Sequence, residues 1–329
     1  MTDARDERIT LSLPQAAQDP IEVRAGIRRG LMRAPREIAP KWFYDDAGSE
    51  LFERICTLPE YYPTRTELAL LKAIAPDLVA RTGAAELIEL GPGAATKTRL
   101  LLDAMSKAGT LRRFVAFDFS DGMVRRVARE LVQEFNGLQV VGVIGDFMEQ
   151  LRELPPDDAG ARLVAFLGGT IGNFRPAEAR DFLQRVAARL RPGDHFLLGT
   201  DLVKDPARLE AAYDDSAGVT ALFNKNVLRV MNRMLDGDFN PGAFRHRAFY
   251  DSSQHWIEMR LVADRAQTIH LPGIELELHL RAGEEIRTEI SAKYDRPRVQ
   301  QLLGGTGFRL LEWFTDPENL FALSLAQRV

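Results

Sequence analysis

The chain has 329 residues, 45% hydrophobic and 27% charged, with a net charge of −4 and a single cysteine, Cys56. That length allows one large domain or two modest ones, and the charge balance gives no field for holding nucleic acid. One cysteine excludes an internal disulfide and a cysteine-cluster metal site, and no apolar run reaches the roughly 20 residues that span a bilayer, so a cytoplasmic protein without membrane contact is expected.

The first 20 residues lack the basic flank and apolar core of a secretory signal and read as a loose polar leader. A helical pattern starts at Val23–Leu31, and "KWFYDDAGSELFERICTLPEYYPTRTE" (41–67) is unusually aromatic for a linker. From Leu68 short apolar runs alternate with amphipathic helices. The runs are "AELIEL" (85–90), "RFVAFDF" (113–119), "LQVVGVIG" (138–145), "RLVAFLGG" (162–169) and "HFLLGTDL" (195–202). Buried strands alternating with helices predict a parallel sheet covered on both faces. Beyond Asp201 the pattern breaks: 204–236 is largely helical, and 244–291 is β-rich with turns at "DSSQ" and "LPG". The end, with "FRLLEWFTD" and "LFALSLAQ", predicts a closing hairpin with one antiparallel strand. Residues 68–203 with 293–329 are therefore expected as one domain, and 1–67 with 204–292 as a second.

The first strand runs into "LIELGPGAATKTR" (87–99), a strand, a glycine turn and a helix start. Backbone N–H groups at such a turn favour an anionic or carboxylate ligand, and glycine permits close approach. Thr96 replaces the third glycine of a dinucleotide fingerprint, so a dehydrogenase is disfavoured. On its own G-x-G marks any strand-to-helix turn. Here Glu89 precedes Gly91 and Gly93, which resembles the first motif of class I S-adenosylmethionine (SAM) methyltransferases. Asp118 ends the second strand, where an acid accepts from ribose hydroxyls, and Asp146 with Phe147 ends the third. Each acid alone could be a helix cap. Three at successive strand ends favour SAM as cofactor, released as S-adenosylhomocysteine.

The blocks "PKWFYDDAGSELFERICTLPEYYPTRTE", "ELGPGAATKTR", "FLGGTIGNF", "GTDLVKD", "AYDDSAGVTALFNKN" and "EEIRTEIS" resemble the L-histidine Nα-methyltransferases of ergothioneine biosynthesis, from about Val23 onward. Pro92 and Ala95 depart from that family's usual glycine loop. The resemblance implies a Rossmann-like doubly wound α/β sheet and a second α+β substrate domain built from the N-terminal segment and the insertion. It implies transfer of three methyl groups to the α-amine of histidine, giving hercynine. Carried over by position, Tyr61, Glu89, Gly91, Gly93, Lys97, Asp118, Asp146 and Phe147 line the cofactor. Tyr61 also faces substrate. Asn173 and Tyr213 hold the amino and carboxylate groups, Glu289 and Ser291 the imidazole, and Tyr44 and Met259 lie near the amine and the ring. Tyr44 and Asn173 are the candidates for assisting proton loss to water.

Residue chemistry agrees with these roles. Asn offers a donor and an acceptor, Tyr a donor, and a Glu/Ser pair at i, i+2 on a strand points to one face. His195, His246, His255, His270 and His279 show neither ligand nor triad spacing and read as structural or surface residues. No metal is required, and a monomer is expected. Two alternatives remain at this stage: an N-methyltransferase for an indole amino acid or related amine, which should lack the Glu289/Ser291 pair, and a non-catalytic SAM-binding module.

Overall fold

The computed structural model describes residues 6–12, 20–156 and 159–329, so residues 1–5 and 13–19 of the expected leader lie outside the described residues. In chain order the elements are β1 (Ile9–Ser12), α1 (Pro20–Met32), β2 (Arg36–Glu37), α2 (Asp46–Ile55), α3 (Tyr62–Thr82), β3 (Glu86–Leu90), α4 (Thr96–Lys107) and β4 (Arg113–Asp118). Then come α5 (Asp121–Glu134), β5 (Gln139–Ile144), α6 (Phe147–Gln150), β6 (Arg162–Phe166), α7 (Pro176–Ala187), β7 (His195–Asp201), α8 (Pro206–Tyr213) and α9 (Val219–Leu235). The chain closes with β8 (Phe244–Asp251), β9 (Trp256–Ala263), β10 (Gln267–Leu271), β11 (Leu276–Leu280), β12 (Glu285–Ala292), α10 (Arg296–Gly304), β13 (Phe308–Thr315) and β14 (Phe321–Arg328).

The chain divides into two compact units. One takes the described residues of Met1–Ala17 with Arg65–Leu202 and Tyr294–Val329; the other takes Gln18–Thr64 and Val203–Lys293. In the first, eight strands form one sheet in the order β1-β5-β4-β3-β6-β7-β14-β13. Pairing is parallel from β1 to β7, and β14 enters antiparallel between β7 and β13. Alternation along each run fills both faces. Leu87, Phe114, Ala116 and Leu163 pack on one side, while Ile88, Val115, Phe117 and Val164 pack on the other. This is why the central strands read as unbroken apolar runs.

The leader departs from expectation. Ile9–Ser12 is not loose but pairs in parallel with β5 at the sheet edge, Ile9 opposite Val140 and Leu11 opposite Gly142. Gly142 makes room: a Cβ there would lie 2.5 Å from Val124 Cγ1 and 2.8 Å from Leu11 Cδ2. Arg8 fastens the same segment by donating to the Val132 carbonyl at 2.6 Å at the end of α5.

The second unit holds α1, α2, α8 and α9 with a four-stranded sheet, β2-β12-β9-β8, and the β10–β11 hairpin. Asp45 caps α2 through Gly48 N at 2.8 Å and accepts from Asn226 of α9 at 2.7 Å. Gly48 is required there, because a Cβ would sit 1.6 Å from the Phe43 carbonyl oxygen. The turn carrying Phe43 and Tyr44 is thereby pinned against α2.

Where the parallel strands begin, Glu86 is fully buried and accepts from Arg113 Nε at 2.6 Å and Arg162 Nε at 2.5 Å. Both guanidinium groups also donate to carbonyls, Pro156 at 2.7 Å and Pro155 at 3.1 Å. Glu86→Ala would remove the buried carboxylate that Arg113 and Arg162 share, and breaking such a buried pair typically costs about 3–5 kcal/mol. Urea unfolding of the full chain should show a loss of that size; a loss within experimental error would mean the pair is dispensable.

Candidate active site

Strand order reverses about β3, whose neighbours are β4 on one side and β6 on the other. Ligands of open α/β sheets bind beyond the strand ends at such a switch point. The turn after β3 has Gly91 at φ +75° and Gly93 at φ +53°, conformations that favour glycine. Ala95 also lies at φ +56°, so the loop keeps a left-handed residue without a third glycine. Gly91 N donates to the Phe117 carbonyl at 2.8 Å, which ties the turn to β4.

Three acids stand at this edge. Glu89 is buried and accepts from the Thr98 hydroxyl. Burial pushes its carboxyl up to about 7, against the Thr98 bond and the Lys97 charge. Asp118 accepts from Gly93 N and Ser120 N, both at 3.1 Å; burial raises its pKa against those backbone bonds. Asp146 caps α6 through Met148 N at 2.9 Å. Phe147 follows it, its ring 5.6 Å from Phe166 and an edge carbon 3.7 Å from where a Gly91 Cβ would be. Carboxylates, left-handed glycines and an aromatic wall around one turn fit a cationic nucleoside ligand such as SAM.

Lys97, expected at the cofactor, is held by Glu67 at 2.7 Å. Glu67 is fully buried on α3 and also accepts from Gly168 N at 2.8 Å. Gly199 leaves it space, since a Cβ there would lie 2.4 Å from Glu67 Oε1. Sequence reasoning missed Glu67. Its signal was an acid one helical turn before the buried pair Leu70 and Leu71, on the same face of α3. Asn173 ends a 3-10 turn after β6, half-buried, and its side chain has no hydrogen-bond partner among the described residues.

The second unit gathers the remaining candidates. Tyr44, Phe52, Tyr61, Tyr213 and Phe223 form an edge-packed aromatic group, with Tyr61 6.2 Å from both Phe52 and Tyr213. Burial, then Tyr213, holds the Tyr61 phenol well above its ordinary pKa. Met259 on β9 lies directly opposite Glu289 on β12, and both are buried. A bulge at Thr288 separates Glu289 from Arg287, and the Thr288 hydroxyl donates its one hydrogen to Asn224 Oδ1 at 2.6 Å, with the Met259 carbonyl oxygen 3.1 Å from the same hydroxyl. Asn224 donates to His246 Nδ1 at 2.8 Å, so His246 Nε2 donates to the Tyr213 carbonyl, also at 2.8 Å. Burial lowers the His246 pKa, in keeping with this neutral relay. His246 is structural, as the sequence suggested, but it anchors a candidate site residue.

Tyr213 and Ser291, expected at the carboxylate and at the imidazole of the substrate, have hydroxyls hydrogen-bonded to each other at 2.7 Å. Lys293, which sequence reasoning missed, is buried and donates to both. Its signal was the i, i+2, i+4 spacing Glu289, Ser291, Lys293 at the end of β12. Substitution of Tyr213 is therefore expected to disturb Ser291 as well. Glu289, by contrast, has no hydrogen-bond partner among the described residues. Burial pushes it up to about 7, opposed by the Lys293 charge.

Residues 23–328 match the family described as histidine-specific methyltransferase, SAM-dependent. The chain belongs to that family. Its eight-stranded sheet, parallel from β1 to β7 with β14 antiparallel beside it, is an open α/β sheet covered on both faces. The chain is 48% identical over 323 residues to a histidine N-alpha-methyltransferase of Mycolicibacterium smegmatis, covering 97% of this chain and 100% of that protein. It is 46% identical to a histidine N-alpha-methyltransferase of Mycobacterium tuberculosis, covering 94% and 95%. Ergothioneine biosynthesis protein 1 of Neurospora crassa is 29% identical across 85% of this chain, which spans 32% of the fungal protein. No helix among the described residues is long and apolar enough to cross a membrane.

Glu289 generates a pH prediction. A carboxyl raised in the fold stabilises fully below its unfolded pKa and loses that contribution as pH rises through about 7. Glu289→Gln should therefore come close to the parent at pH 4, below the unfolded carboxyl range, and be more stable at pH 8, by on the order of 3 kcal/mol. Thermal unfolding at the two pH values checks this, and equal midpoints at pH 8 would contradict it.

Proposed function

We propose that this protein transfers three methyl groups, one at a time, from SAM to the α-amine of L-histidine, producing hercynine for ergothioneine biosynthesis. The observation that carries the reading is Glu289, a buried carboxylate left without a hydrogen-bond partner among the described residues. Such a group is costly unless a ligand satisfies it, and an imidazole N–H does so. Ser291 two residues on, and Met259 across the strand pair, give that ring a polar and an apolar neighbour.

The first unit is the proposed cofactor holder. Glu89 would balance a cationic amino-acid end, Asp118 would accept from ribose hydroxyls, and Asp146 and Phe147 would border the adenine. A cation beside Glu89 would draw off the proton that burial otherwise retains there. When bound, SAM supplies an activated sulfonium methyl.

The chain's own task is to hold a neutral amine in line and to exclude water. Such positioning can lower a barrier by roughly 7–11 kcal/mol. One proton must leave the nitrogen before each of the three transfers. Tyr61 is unsuited to take it, because burial keeps its phenol protonated. Asn173, with an unengaged amide, and Tyr44, with a partly exposed ring, are the proposed groups that steer the amine while water carries the proton away.

Incubation with SAM and histidine, followed by mass spectrometry, should reveal products carrying one, two and three added methyl groups. An indole amino acid methylated in preference to histidine would overturn the reading. In the same assay Glu289→Ala should narrow the preference for histidine over phenylalanine, since a site that hydrogen-bonds its substrate rejects analogues lacking that group. Asp118→Ala should weaken SAM binding roughly 10- to 100-fold by calorimetry. Unchanged affinity would remove Asp118 from the cofactor site.

A further inference from the structure

Two neighbouring residues in the first turn of α4 are each tied to a buried glutamate. Thr98 donates its hydroxyl to Glu89 on β3, and Lys97 donates to Glu67 on α3 at 2.7 Å. Successive side chains of a helix point about 100° apart, so one turn reaches both carboxylates. The proposed reaction gives Glu89 a task and Glu67 none. Both oxygens of Glu67 also accept from Gly168 N, at 2.8 and 3.0 Å. A Cβ on Gly168 would lie 3.3 Å from Lys97 Nζ, so the ammonium rests against the turn after β6 as well as against the carboxylate. The pair is uneven in exposure, 1% for the Glu67 side chain and 21% for that of Lys97. The carboxylate is sealed, while the lysine still meets solvent.

The amino-acid end of SAM carries an ammonium and a carboxylate. Glu89 is the proposed partner of the first, and the second calls for a cation fixed beside the same turn. A loose lysine would lose its rotamer freedom when the ligand arrives, whereas one already held by Glu67 has lost it in advance. Glu67 also offsets a lysine charge that would otherwise repel the sulfonium of the same ligand.

We propose that Glu67 is a positioning residue that holds the Lys97 ammonium in place for the carboxylate of SAM's amino-acid end. The proposal deepens the SAM reading, in which Lys97 lines the cofactor, and rests on it. An amide at position 67 would keep an acceptor for Gly168 N but turn a donor toward Lys97. Glu67→Gln therefore separates the anchoring of the turn from the holding of the lysine.

The test compares two nucleosides with a neutral sulfur, S-adenosylhomocysteine and methylthioadenosine, of which the second lacks the amino-acid end. The parent protein, Glu67→Gln, Lys97→Gln and the double variant are each titrated with both by calorimetry, with thermal unfolding measured alongside. Glu67→Gln should weaken S-adenosylhomocysteine roughly 10-fold, as expected when a charge-assisted contact is lost, and leave methylthioadenosine alone. Lys97→Gln, which keeps a donor for Glu67, should show the same split. The double variant should be no weaker than Lys97→Gln, since Glu67 acts through that ammonium. Three results overturn the proposal: unchanged S-adenosylhomocysteine affinity in Glu67→Gln, equal losses for both nucleosides, or additive losses in the double variant. Should Glu67→Gln fail to fold, Lys97→Gln decides, and an unchanged ratio of its two affinities overturns the proposal. A parent that binds neither nucleoside overturns the SAM reading itself, and this one with it.

Discussion

A sheet covered on both faces leaves almost nowhere for a polar side chain to survive, and that constraint organises the first unit. Along β3 every residue is buried, yet two of the five are glutamates. Glu86, at the start, is neutralised by two arginines and tied into neighbouring carbonyls. Glu89, near the end, has a single hydroxyl and an opposing lysine charge, and burial lifts its pKa. The same residue type is a structural pin at one edge and a poised acid at the other. Partner supply makes the difference.

Glu67 extends that logic to the loops. Its buried carboxylate holds Lys97 from the helix after β3 and Gly168 from the turn after β6, so two segments on either side of the switch point share one anchor. The glycines at 168 and 199 follow from it, the first close to Lys97 and the second leaving room for the carboxylate. A helix outside the sheet thus sets the loops that carry the glycine turn and Asn173.

In the second unit the same requirement for partners yields a network. The Thr288 bulge, Asn224, His246 and the Tyr213 carbonyl form one hydrogen-bonded line. Tyr213, Ser291 and Lys293 form another. Glu289 stands beside them with its carboxylate unengaged. A buried polar network with one open member is costly unless a partner of matching polarity completes it.

The strands of the parallel sheet, the helices between them, the closing hairpin and the β-rich insertion were legible because apolar periodicity is local. The acids at strand ends and the T-E-x-S segment were legible because motif spacing is local too. What stayed hidden depends on residues far apart in the chain. Ile9–Ser12 is too short to read as a strand until β5 offers its edge and Gly142 its space. Glu67 looks like a helix surface acid until Gly168, 101 positions later, needs an acceptor. Lys293 looks like an exposed strand-end charge until Tyr213, 80 positions earlier, is laid against it. The sequence by itself determined which elements form and which chemical groups they carry, since propensity and pattern act over a few residues. Only the tertiary structure decided which buried polar groups find partners and which stay open for a ligand, because hydrogen bonding and desolvation depend on neighbours that chain order does not reveal.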